Sequence, residues 1–143
     1  MATPNRIPPN PLFRRLRPIL KPLSLFYRYN SKGPSNWYDP NAGVGRVAYD
    51  GYPLRSIVEL ELFLAEMRTL LPEIQIPGLF IHSKTDDFVP HSHMIDNYNL
   101  LGSSDKEMVS IEVSNHIITC DISHKEVFSA VAEFVKRIAG SNQ

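Results

Sequence analysis

The chain has 143 residues, 43% of them hydrophobic, and a formal net charge of zero, which suits one ordinary domain with a core of its own. Its one cysteine, Cys120, excludes an internal disulfide framework and fits a reducing compartment. The charge is uneven: residues 1–50 hold eight basic and two acidic side chains, and the remainder holds seven and thirteen. A basic arm of this kind can meet nucleic acid, an anionic surface or an acidic partner, but its simplest resting place is the acidic remainder of the same molecule. No run approaches the ~20 apolar residues of a membrane span. Pro18 and Pro22 also interrupt Leu16–Phe26, where a signal peptide would be continuously apolar. The expectation is a cytoplasmic protein with no transmembrane segment.

Nine of the twelve prolines fall between Pro4 and Pro53, so residues 1–53 read as an irregular, proline-rich, basic segment. Met1–Pro11 is loop, and Leu12–Tyr29 is apolar and basic but cut by its prolines into at most two short helical pieces. Ser31–Pro53 resembles an ordered loop more than strands, with turn signals at Gly33-Pro34 and Asp39-Pro40. Trp37, Tyr38, Tyr49 and Tyr52 supply aromatic surface, for a pocket or for a thin core.

From residue 54 to 140 the pattern becomes regular. Ser56 and Glu59 have capping-box spacing, and Ile57, Leu60, Phe63, Leu64, Met67 and Leu71 recur at helical intervals as one buried stripe that Pro72 ends. Pro77 introduces Gly-Leu-Phe-Ile, a compact apolar run predicting a short buried strand that ends at His82-Ser83. A helix is predicted over Ser92–Leu101 with Ile95, Tyr98 and Leu101 inward, then a second strand over Met108–Val113. A polar-edged loop, Ser114–Asp121, follows. The last helix opens with another capping box, Ser123 and Glu126, and carries the stripe Val127, Phe128, Val131, Phe134, Val135 and Ile138. Strand, helix, strand, helix points to an α/β fold of parallel strands with flanking helices, whose post-strand loops form the functional edge.

Asp86 follows the first of these strands and His116 the second, about 30 positions later. Parallel neighbouring strands would bring both loops to one edge. There an aspartate can fix the tautomer of a histidine that takes a nucleophile's proton. The pair also reads as a turn-capping Asp86 and a His116 satisfied within its loop. A metal site built from His82, His91, His93 or His116 with Asp86 is a further alternative, although His91 and His93, two apart at a helix start, do not share a face. Surface or capping roles explain those two more simply.

Two longer stretches carry a resemblance. Ile76-Pro-Gly-Leu-Phe-Ile-His-Ser-Lys-Thr-Asp86-Asp-Phe-Val-Pro90 resembles the acid-bearing strand and loop of α/β-hydrolases, closest to bacterial carboxylesterases and monoacylglycerol-lipase-like enzymes. Lys106-Glu-Met-Val-Ser-Ile-Glu-Val-Ser-Asn-His116-Ile-Ile-Thr-Cys-Asp121 resembles their final strand and histidine loop, and Glu126–Ile138 their closing helix. The resemblance implies the C-terminal portion of an α/β-hydrolase fold over residues 54–140, preceded by a cap-like region over 1–53. It makes Asp86 the triad acid and His116 the triad base. Asp87 becomes a loop carboxylate holding the turn, Asp121 a backbone-bonding residue that fixes the approach of His116, and Phe88 a residue that borders the acyl pocket or only packs against it. No cofactor and no metal is implied.

The departure from that family is large. Its nucleophile belongs upstream in a Gly-x-Ser-x-Gly elbow, and no such motif occurs here; Gly33-Pro-Ser35-Asn-Trp37 lacks the second glycine. Cys120 lies in the histidine loop itself and is expected to be a buried or half-buried structural thiol. Two strands with helices form the edge of a sheet, whose open strand and apolar helix faces need a partner. Met1 falls where the family's cap would begin, so the simplest expectation is a truncated or split gene product. It would be a fragment of a carboxylic ester hydrolase, inactive alone, acting on small carboxylic or acylglycerol esters when complemented by the N-terminal half. The alternative is a noncatalytic interaction module derived from such a hydrolase, held by self-association or another protein. No nucleic acid is expected, because the basic arm lacks any recognition framework.

Overall fold

A computed structural model of the chain describes residues 3–7, 22, 29–31, 36–45, 47, 49 and 51–140. The elements are β1 (Tyr29–Ser31), β2 (Gly51–Pro53), α1 (Leu54–Leu70), a 3-10 turn (Leu71–Glu73), β3 (Gly78–Ser83), α2 (Ser92–Leu100), β4 (Lys106–Ile111) and α3 (His124–Gly140). Most of the proline-rich stretch over residues 8–28, with its expected helical pieces, lies outside the described residues.

β3 and β4 pair in parallel, with Phe80 opposite Met108, Ile81 opposite Val109 and His82 opposite Ser110. Alternation of side chains then sorts the neighbours by face. On the even-numbered face of β3, Phe80 packs edge-on against Tyr98 of α2, ring centres 5.8 Å apart, and His82 meets the His91 ring. On the other face Ile81, Val109 and Ile111 pack with Ile118 and with Val127 of α3. Helices therefore lie on both sides of the pair, which suits the apolar run Leu79, Phe80 and Ile81 of β3, whereas β4 stays mixed, with Lys106, Glu107 and Ser110 among its six residues. Arg137 near the end of α3 forks onto Asp105 at 2.7 and 3.0 Å and reaches Glu107 at 2.8 Å, tying the helix to the start of β4.

Several local expectations change. Ser31–Pro53 is not all loop: β1 and β2 form a short antiparallel ribbon. Ser56 is not a cap, because α1 already starts at Leu54 and the Ser56 hydroxyl donates back to the Pro53 carbonyl at 2.7 Å. Ser123 likewise gives its hydroxyl to Val113 O at 2.6 Å instead of closing a capping box. Within the α1 stripe Leu64 and Leu71 are buried, whereas Leu60 and Phe63 are exposed. The inward face of α2 keeps Leu101, which is buried, and Tyr98, which packs on Phe80, as expected, but not Ile95. His93, Met94 and Asn97 are buried and Ile95 is exposed, because Asn97 is engaged by Asn5 Nδ2 at 2.7 Å and itself donates to Thr3 O at 3.2 Å. In α3 Val127 is buried, while Phe128, Val131 and Val135 face outward.

The turn after α2 passes so close to the 3-10 turn that only glycine fits. Gly102 N donates to Leu71 O at 3.0 Å, and a Cβ at this position would lie 1.9 Å from the Pro72 carbonyl oxygen. Gly102→Ala is therefore expected to cost about 1–3 kcal/mol through forced backbone displacement. Urea denaturation of the two proteins measures this, and an unchanged midpoint would show that the turn is free to relax.

Candidate active site

Because β3 and β4 run the same way, the loops that follow them leave from one edge. The loops are clipped together there. Lys84 N donates to Ile111 O at 2.9 Å, and the hydroxyls of Ser83 and Thr85 both donate to Ser114 O, at 2.6 and 3.0 Å. Asp86 and His116 emerge beside this clip, and His116 Nδ1 lies 3.0 Å from Asp86 Oδ2. The Asp86 side chain is fully buried, while the His116 side chain is 28% exposed. The acid is thus sealed in and the imidazole still reaches the surface.

The proton positions follow from the partners. Asp86 Oδ1 accepts the backbone N–H groups of Phe88 and Val89 at 2.8 and 2.9 Å, closing the tight turn of its own loop. Oδ2 faces His116 on one side and His82 Nε2, 3.3 Å away, on the other. His82 Nε2 is also 2.9 Å from the Val89 carbonyl oxygen, which can only accept, so this nitrogen carries its proton. An ionised carboxylate likewise requires the proton of His116 on Nδ1, leaving Nε2 as the nitrogen with a free lone pair. Burial alone would push the Asp86 carboxyl up. The hydrogen bonds from His116, His82, Val89 and Phe88 outweigh it and hold the group well below the ordinary carboxylate range.

A strap from the N-terminal segment crosses both loops. Asp121, fully buried, accepts backbone N–H groups from Asn115 (2.7 Å), Asp39 (2.8 Å), Ile122 (2.9 Å) and Tyr38 (3.4 Å). Desolvation raises its pKa, but these four donors hold it below the usual range. The amide of Asn36 donates to Asp87 Oδ2 at 2.6 Å, and the amide of Asn115 donates to the Asn36 carbonyl. Asp121 therefore bonds backbone around the histidine loop, as its position in the resemblance implies, and Asp87 holds a neighbouring segment rather than its own turn. Phe88 is exposed, its ring centre 4.9 Å from that of His116 and 6.3 Å from that of Tyr52.

Other residues fall elsewhere. Cys120 is exposed rather than buried, because the loop turns there and Ile118 fills the core position. His91 and His93 are not surface caps: His91 Nε2 bonds Ser110 Oγ at 2.9 Å, and His93 is buried under α2. Among the described residues no group of three or more His, Cys, Asp or Glu side chains is placed to share a metal ion. The sequence reading missed His82, Ser83, Thr85 and Asn36 as supports of the pair. Their one signal was position, polar groups at the end of an apolar strand that had to find partners on burial.

These shifts set how stability depends on pH. Desolvation lowers the pKa of His91 and His93, reinforced by His82 and Lys84 around the first and by Arg6 near the second. Protonating them costs stability as pH falls through the ordinary imidazole range near ~6.5. The depressed carboxyls of Asp86 and Asp121 stabilise the fold above the unfolded carboxyl range near ~4, and this is lost as pH falls toward their folded values. Urea stability is expected to decline in two stages, near pH 6 and again below about pH 4, and Asp86→Asn should flatten the second. An acid limb unaltered by Asp86→Asn would remove this residue from the linkage.

No family model matches the chain. A thermostable monoacylglycerol lipase from Bacillus sp. (strain H-257) is 28% identical over 100 residues, which span 70% of this chain and 40% of the lipase. A solved structure from work on LipS and LipT, two metagenome-derived lipolytic enzymes, is 27% identical with a TM-score of 0.62, over 81% of this chain and 49% of that one. The monoacylglycerol lipase of Paleococcus ferrophilus shares the fold at a TM-score of 0.70 and 14% identity, over 94% of this chain and 55% of that one. The chain thus spans about half the length of the relatives it matches. The parallel pair, its flanking helices and these similarities together relate the chain to the lipase- and esterase-like α/β-hydrolases.

Proposed function

We propose that this chain supplies the acid and base of a carboxylic ester hydrolase site, Asp86 and His116, and that the serine nucleophile comes from a part of the fold outside this sequence. The observation that carries the reading is the 3.0 Å contact between a fully buried Asp86 carboxylate and a partly exposed His116 ring, oriented so that Nε2 is the basic nitrogen. The relatives, named as lipases and lipolytic enzymes, support an ester as substrate, and we take it to be a small carboxylic or acylglycerol ester.

In this reading His116 Nε2 takes the hydroxyl proton as the serine oxygen attacks the ester carbonyl, and Asp86 holds the ring and stabilises the imidazolium. The imidazolium then returns the proton to the departing alkoxide. Water, deprotonated by the same nitrogen, attacks the acyl-enzyme, the imidazolium returns that proton to the serine oxygen as the acyl bond breaks, and the carboxylic acid leaves. Both the nucleophile and the donors that stabilise the tetrahedral oxyanion must be supplied by the complementary part, since the sequence contains no Gly-x-Ser-x-Gly elbow. Phe88 lies beside the imidazole with Tyr52 stacked against it, and we take the two rings to border the acyl group.

A fluorophosphonate followed by intact-mass analysis tests the reading directly. The folded chain alone is expected to take no adduct. When it is complemented by the serine-bearing part of a relative, the adduct should appear on that part, with ester turnover that His116→Ala lowers by about 10³-fold or more. A stoichiometric adduct on the isolated chain would mean that it holds its own activated nucleophile, and complemented turnover indifferent to His116→Ala would discard the assignment of the base.

A further inference from the structure

His82 is a costly residue for its place. It lies near the end of β3 and is 1% exposed, where an aliphatic side chain could be buried without losing hydration. Its Nε2 donates to Val89 O at 2.9 Å and lies 3.3 Å from Asp86 Oδ2, so one proton faces two oxygens. From the α2 side the His91 ring stands perpendicular to it, ring centres 5.8 Å apart. His91 Nε2 is in turn fixed to Ser110 Oγ at 2.9 Å. The His82 ring is therefore held in plane from behind before it meets the carboxylate.

Satisfying the Val89 carbonyl accounts for the shorter contact but not for the reach to the acid. Asp86 Oδ1 is already engaged by the amides of Phe88 and Val89, so any freedom left to the carboxylate lies at Oδ2. That oxygen has two lone pairs. His116 Nδ1 meets one of them at 3.0 Å, and in a side chain with no exposed surface the other must be met from within the protein. Among the described residues, the side chain that reaches Asp86 besides His116 is His82. A carboxylate held at both oxygens cannot swing away from the base, and the His116 ring has one fixed acceptor on which to settle.

We infer that His82 is a positioning residue of the site: its Nε2-bound proton holds Asp86 Oδ2 toward His116, with His91 and Ser110 keeping the His82 ring in plane. It reaches no reacting atom and works only by way of the acid. Its effect on turnover rests on the proposed ester hydrolysis, whereas its effect on His116 does not and is readable in this chain alone.

Two conservative variants separate this role from packing. His82→Gln puts an amide nitrogen where histidine carries Nε2, and His82→Asn puts it where histidine carries Nδ1. His82→Leu removes the donor. Side-chain histidine NMR of the 143-residue chain reads the proton on His116 Nδ1. Wild type and His82→Gln are expected to keep that proton protected, while in His82→Asn and His82→Leu it should exchange with solvent about tenfold faster. In complemented ester turnover the same two variants should lower kcat about tenfold with KM within about twofold, and His82→Gln should restore most of the loss. A wild-type His82 proton found on Nδ1, or equal exchange at His116 in the Gln and Asn variants, would each overturn the inference. Unfolding of both the Asn and Leu variants would do so too, by making His82 a purely structural residue. The expected order of exchange with no turnover even for the complemented wild type would leave His82 in its role and sink the hydrolytic reading. Turnover that is equal in wild type and His82→Asn would do the reverse.

Discussion

The parallel register of β3 and β4 is the constraint on which everything else at the site depends. It sets two strand ends level, so that two loops about 30 residues apart in sequence start from neighbouring points. A shift of one residue would exchange the faces of one strand and take Ile111 out of the core and Ser110 away from His91. The Ser83 and Thr85 hydroxyls, both held by Ser114 O, guard against such slippage at the end where it would matter most. The Asp86–His116 contact is a consequence of that alignment rather than a cause of it.

Much of this was legible from residue order. The apolar run after Pro77 became β3, the stretch expected over Met108–Val113 became β4 two residues earlier at Lys106–Ile111, and the helices appeared between and after them. Asp86 and His116 could be paired because strands separated by one helix favour parallel neighbours, which sends both loops to one edge. Periodicity gave the helices their existence and only part of their inward faces. The inward face of α2 follows Asn97, whose partner Asn5 lies 92 residues away and leaves no local trace. The expected caps failed for a similar reason: Ser56 and Ser123 have the right spacing, yet each hydroxyl found a carbonyl instead. The β1–β2 ribbon was hidden because three-residue strands leave too short a pattern to read.

Asp86 and Asp121 solve the same physical problem differently. Both carboxylates are sealed from water, and among the described residues neither meets Lys or Arg. Asp121 holds its charge with main-chain donors alone and so acts as a fixed post. Asp86 divides its two oxygens, one for the backbone of its own turn and the other for two imidazoles. That division couples the shape of the loop to the orientation of His116, with His82 wedged between the carboxylate and the Val89 carbonyl.

The strap formed by Asn36, Tyr38 and Asp39 has a consequence for engineering. These residues bond to the acid loop through Asp87 and to the histidine loop through Asn115 and Asp121. The smallest portable unit of the site is therefore three strips of chain, 36–39, 83–89 and 114–121, and not a pair of side chains. Grafting Asp86 and His116 onto another scaffold without the first strip would strand the Asp121 carboxylate with half of its main-chain donors gone. The histidine loop would then have to find a new shape in its host.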